Sequence, residues 1–149
     1  MSSLLTTFLS DTTIDAAYSW LCKNRKHYPP NSDIWDLRFH WDKEREEIKQ
    51  TLSLGCYKFK PLQLITKNDN TTIALWGSKD ALVIKMLTMV LAEHLPVHNK
   101  CEHIKGNGGG KRSALNVDKI LRRGDYRFVC RTDIKGYYAN INKSHCLRN

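Results

Sequence analysis

The sequence predicts an α+β fold, and three observations carry the prediction. Apolar residues recur at helical spacing over residues 11–28, 32–54 and 78–94. Between the second and third of these stretches the period changes to alternation around a polar turn. Helices and strands do not alternate regularly, as a parallel sheet would require.

The first helix is expected from Asp11 as N-cap, with Ile14, Ala17, Tyr18 and Leu21 on one face. Tyr28-Pro29-Pro30 ends it, because proline lacks the donor a helix needs. A second helix is expected after Asn31 or Ser32, with Ile34, Leu37, Trp41, Ile48 and Leu52 as its buried stripe and Gly55 as terminator. The alternating stretch Tyr57-Lys58-Phe59-Lys60-Pro61, with Leu62, Leu64 and Ile65, predicts an extended segment. Lys67-Asn68-Asp69-Asn70-Thr71 is a turn, and Ile73–Trp76 the returning strand. Ser78 is expected to cap a helix that runs to about His94 and buries Leu82, Val83, Met86, Leu87, Val90 and Leu91. A loop over 97–110 leads to a short basic helix with Ala114, Val117 and Leu121 inward. Gly124-Asp125 then turns the chain into a strand over Tyr126–Thr132, which delivers Asp133 at its end.

Charge is unevenly placed. Residues 1–97 hold 12 Lys/Arg against 11 Asp/Glu, a balance of +1, whereas residues 98–149 hold 12 against 4, a balance of +8. A local positive field of this kind suits a phosphate backbone. The five cysteines are odd in number, scattered and without a Cys-x-x-Cys pair, so reduced thiols in the cytoplasm are expected. No apolar run approaches the roughly 20 residues of a membrane span. The start, with Leu4, Leu5, Phe8 and Leu9 but no basic leader, is not read as a signal peptide.

The strongest chemical constellation is Phe128-Val129-Cys130-Arg131-Thr132-Asp133-Ile134-Lys135-Gly136-Tyr137-Tyr138. An apolar strand ending in a carboxylate suits a hard cation; an Asp capping the next turn is the plainer alternative. The stretch resembles the first catalytic motif of reverse transcriptases. The resemblance extends through Asp36–Trp41 and Gly55–Pro61, which are similar to the entry segment of bacterial, group II intron-like members. Trp76–Lys85 is similar to the helix after their fingers hairpin. Gly106–Arg112 occupies the place of the template- and nucleotide-contacting segment. Together these stretches cover about residues 33–143.

The resemblance implies a partial right-hand polymerase domain. Residues 1–55 would be an N-terminal helical extension, 56–125 the fingers and 126–149 the start of a truncated palm. It implies that Asp133, with the backbone carbonyl of Ile134, holds catalytic Mg²⁺. It also implies that Tyr138 excludes a ribose 2′-OH and that Lys67 grips the incoming triphosphate. Lys111 and Arg112 are read as phosphate contacts. Their loop fails the G-x-x-x-x-G-K-[ST] spacing, with Lys105 and Arg112 at the positions of Gly and Ser/Thr. The implied partners are an RNA template, a DNA primer and a dNTP.

Two departures stand out. No arginine stands near Lys67 on the hairpin, where Thr71 and Thr72 sit instead, and no adjacent Asp-Asp pair occurs in the 149 residues. Two-metal phosphoryl transfer needs more carboxylates than Asp133. The expectation is therefore an RNA-directed DNA polymerase by family that is inactive as this chain. The alternatives are a non-catalytic nucleic-acid-binding module derived from it and a mobile-element remnant without function.

Overall fold

Ser10 decides where the first long helix begins. In the computed structural model, which describes residues 3–98, 101–102, 108–136 and 140–141, its Oγ accepts the Thr13 N–H at 3.3 Å. That bond satisfies one of the donors a helix start leaves open. A short helix α1 (Ser3–Phe8) precedes Ser10, and α2 (Asp11–Asn24) follows it. Asp11, expected as the cap, is instead the first helical residue. Its carboxylate pairs with Lys49 at 2.7 Å and with Arg45 at 3.0 Å.

The helix expected after Ser32 is two helices, α3 (Asp33–Phe39) and α4 (Trp41–Ser53), broken at His40. After Trp41 the next residue of the apolar stripe is Ile48, and the intervening Asp42–Glu47 run is charged. The break lets Trp41 stack on Tyr18 of α2, ring centroids 3.6 Å apart, while Ile48 still reaches the core. The end of α4 does follow its glycine. Gly55 adopts φ +65°, its N–H donates to Leu52 O, and the Cys56 N–H donates back to Thr51 O. This paired closure requires the left-handed conformation that glycine takes without strain.

Strands β1 (Gln63–Thr66) and β2 (Thr72–Leu75) form the antiparallel hairpin, with Gln63 opposite Leu75 and Thr66 opposite Thr72. Asn70 turns the chain at φ +61°, and Asp69 Oδ1 accepts the Thr71 N–H at 3.0 Å. Helix α5 (Ser78–Ala92) is the central element of this part of the chain. Helices α1, α2 and α3 all pack on it. The core joins Ile14, Ala17 and Leu21 of α2, Ile34 and Leu37 of α3, Ile48 of α4, and Leu82, Val83, Met86 and Val90 of α5.

The start of α5 is capped from a distance. Gly77, not Ser78, is the N-cap, and it offers no side chain. The Asp33 carboxylate takes that role, accepting the Ser78 N–H at 2.5 Å and the Ser78 Oγ–H at 2.7 Å. Arg25, only 9 % exposed, completes the latch. Its guanidinium donates to Ser78 Oγ at 2.7 Å and to the Trp76 carbonyl at 2.8 Å, and stands 3.5 Å from Asp33. Close by on α5, the fully buried Asp80 accepts the Tyr57 O–H at 2.7 Å and the Lys60 N–H at 3.0 Å, which holds the lead-in to the hairpin.

The chain divides into two compact units, Met1–Pro96 and Val97–Asn149. In the second, α6 (Gly109–Arg122) is the one regular element among the described residues. Its apolar residues do not turn inward as expected. Ala114 is exposed, Val117 is 50 % exposed and Leu121 44 %. The strand expected over Tyr126–Thr132 is not formed either. Among the described residues only the hairpin pairs, and Phe128 and Val129 lie in solvent. An apolar run such as Phe128-Val129-Cys130 suits a strand, but without a neighbouring ladder its backbone groups have no reason to leave water. No helix among the described residues is long and apolar enough to cross a membrane.

Candidate nucleic-acid interface

The +8 balance falls in the second unit, and α6 with its C-cap Arg123 carries +4 of it. Gly108, at φ +92°, opens the helix. A side chain there would be strained, and its Cβ would meet Arg112 Cδ at 2.1 Å. Gly108 thus lets the Arg112 side chain lie over the helix start. Glu102 fixes the same end, its carbonyl accepting the Gly109 N–H at 2.9 Å and its carboxylate accepting from the Asn116 amide.

At 100° per residue, Arg112, Lys119 and Arg123 fall within one narrow strip of the helix surface, with Lys111 and Arg122 beside it. All five are exposed. Arg122 pairs with Asp118 at 2.8 Å, whereas the other four make no ion pair with a described residue. The strip from Arg112 to Arg123 is roughly 16 Å long at 1.5 Å per residue. That length spans several phosphates of a strand that carries one every 3.4 Å or so. Leu115 lies between the strip and the pair Lys111 and Arg122, Ile120 flanks the strip's other edge, and Val117 and Leu121 lie on the opposite side.

The residues singled out from sequence are not all brought together. Lys111 and Arg112 share the first turn of α6. Lys67 belongs to the first unit, exposed at the tip of the hairpin. The Thr71 N–H holds the neighbouring Asp69 carboxyl below the usual carboxylate range, so an anion sits two residues from Lys67 and offsets its field. Asp133 and Ile134 are exposed and lie outside any helix or strand. Tyr138 lies outside the described residues.

Mg²⁺, which the resemblance implies, takes oxygen ligands and keeps several waters. The donors that the resemblance names are the Asp133 carboxylate and the Ile134 carbonyl. No group of three His, Cys, Asp or Glu converges among the described residues. This set matches a corner of a hard-cation shell and falls short of a two-ion centre.

Sequence reasoning named two residues of the basic strip's helix and missed Lys119, Arg122 and Arg123. Their spacing from Arg112 was the available signal. It missed Arg25 and Asp33 entirely. Arg25 sits in the polar run Lys23-Asn24-Arg25-Lys26, where a solvated side chain is the ordinary expectation. No family model and no curated protein matches the chain.

Proposed function

We propose that the chain binds the phosphate backbone of RNA or DNA through α6, as the fingers-bearing front part of a reverse transcriptase-like fold working in the cytoplasm. The observation that carries the binding is the strip Arg112, Lys119 and Arg123, exposed on one side of α6 and without ion pairs to described residues. The relation to polymerases rests on the order of the motifs from Asp36 to Tyr138. In a complete polymerase of that family Asp133 holds Mg²⁺, Tyr138 selects the sugar and Lys67 meets the dNTP over a primed RNA template. The single carboxylate at Asp133 favours the second reading for these 149 residues taken alone, a nucleic-acid binder without nucleotidyl transfer.

Titration of a single strand into the chain at several salt concentrations tests the binding. The affinity should fall steeply with salt and depend little on sequence. Lys111→Ala with Arg112→Ala should weaken it and reduce the salt slope by roughly 0.7 to 0.9 for each phosphate that the variant no longer neutralises. An affinity unchanged between low and moderate salt overturns the reading. In the same preparation, primer extension with dNTPs and Mg²⁺ should give no product, and Asp133-dependent extension would refute the non-catalytic reading.

A further inference from the structure

The first unit contains a cavity of about 460 Å³ between the turn after α2 and one face of the hairpin. That volume lies within the range of small-molecule sites, roughly 300–1,000 Å³. The hairpin contributes Gln63, Ile65 and Leu75, which share a face because Gln63 is opposite Leu75 and Ile65 opposite Ile73. The turn contributes Tyr28 and Asn31. Trp76 and Arg25 line it where the latch meets the hairpin.

The chemistry of these walls selects among ligands. An anion is disfavoured. Arg25 is already engaged by Ser78 Oγ and the Trp76 carbonyl, and the Asp33 carboxylate stands 3.5 Å from it, so the guanidinium that lines the cavity beside His27 is compensated. A purely aliphatic ligand is also disfavoured. Asn31 and Gln63 line it, are exposed and carry both donors and acceptors, which such a ligand would leave unanswered. A flat heteroaromatic ring answers both conditions. Its faces suit Tyr28, Trp76 and the aliphatic Ile65, and its edge suits the two amides. Ile65 at 46 % exposed and Trp76 at 39 % have surface left to cover.

We infer that this cavity receives a nucleoside, its base against Tyr28, Ile65 and Trp76 and its edge read by Asn31 and Gln63. The inference rests on the nucleic-acid reading for its ligand class, but it uses none of the residues of α6. The nucleoside has two possible sources, an unpaired position of a bound strand or a free nucleotide.

Three probes separate the outcomes: free 2-aminopurine riboside, a short single strand carrying one 2-aminopurine, and the same strand with an abasic position there. Binding in the cavity should quench the fluorescence saturably. Asn31→Ala and Gln63→Ala should each weaken the response about fivefold, the loss of one hydrogen bond. Both positions are exposed, so unchanged melting of the variants verifies their fold. Lys111→Ala with Arg112→Ala should weaken the strand and leave the riboside unaffected. Quenching by the strand alone assigns the cavity to a strand position, and quenching by the riboside as well admits a free nucleotide. If the riboside is silent and the normal and abasic strands bind equally, the cavity inference fails while backbone binding by α6 stands. If the riboside binds and no strand does, the α6 reading fails and the cavity inference stands. A response indifferent to both Asn31→Ala and Gln63→Ala places the ligand elsewhere and overturns the inference.

Discussion

Asp33 does two tasks with one carboxylate. It caps α5 through the Ser78 N–H, and it accompanies the charge of Arg25. Asp33→Ala removes a cap, worth about 1 kcal/mol, and leaves a buried guanidinium with neutral acceptors only. Charge-assisted hydrogen bonds contribute about 1.5–3 kcal/mol. The side chain of Asp33 is 41 % exposed, which discounts its ion-pair share. The expected loss is about 2 kcal/mol, read as a lower denaturant midpoint. A change within about 0.5 kcal/mol, ordinary for a surface position, would show that the latch is decorative. Tyr57 makes a second residue-scale case. Burial, and then its hydrogen bond to Asp80, push its phenol well up. Burial, and then the Cys22 contact, push Tyr18 up to about 12. The folded chain therefore keeps protons that the unfolded chain releases from about pH 10 upward. This part of the stability is complete below that pH and declines above it, with the Tyr18 share gone by about 12. Denaturation curves across that range should fall more steeply for the native chain than for Tyr57→Phe. Equal slopes would refute the linkage.

At the scale of elements, local signals were legible and distant ones were not. The apolar stripes announced α2 and α5, and Gly55 announced the end of α4, because periodicity and a left-handed glycine are written in neighbouring residues. The hairpin was legible from its polar turn. The break at His40 was not, because it follows from where Trp41 finds Tyr18 on another helix, which no neighbouring residue records. The segment Tyr126–Thr132 shows the opposite failure. Its apolar run Phe128-Val129-Cys130 is real, yet a strand is a property of a pair, and no described strand answers it. This difference predicts hydrogen exchange. Amides of α5, whose Leu82, Val83 and Met86 are buried, should be among the slowest in the chain, and those of residues 126–136 among the fastest. Slow exchange over 126–136 in a monomer would reveal a packed element there.

At the scale of the whole molecule, the two units divide labour by composition. The first holds the buried core and is nearly neutral, and the second holds the surplus of positive charge and exposes the large apolar residues described in it. The candidate site was legible here as a charge imbalance. Its arrangement was not, because a linear count of Lys and Arg does not say which of them a helix lines up. Added salt should accordingly release nucleic acid while leaving the unfolding of residues 1–96 nearly unchanged, since buried apolar surface is little screened. Loss of both together would mean that charge holds the first unit folded. The latch at Arg25, Asp33 and Ser78 has a further consequence, in time and not in equilibrium. Its partners lie far apart along the chain, Asp33 on α3 and Ser78 at the start of α5, and the loop between them must close before any of its bonds can form. A contact of that kind is expected late in folding, after the barrier has been crossed. Its loss would then leave the folding rate nearly untouched and speed unfolding. The latch would set how long each folded molecule lasts before it opens.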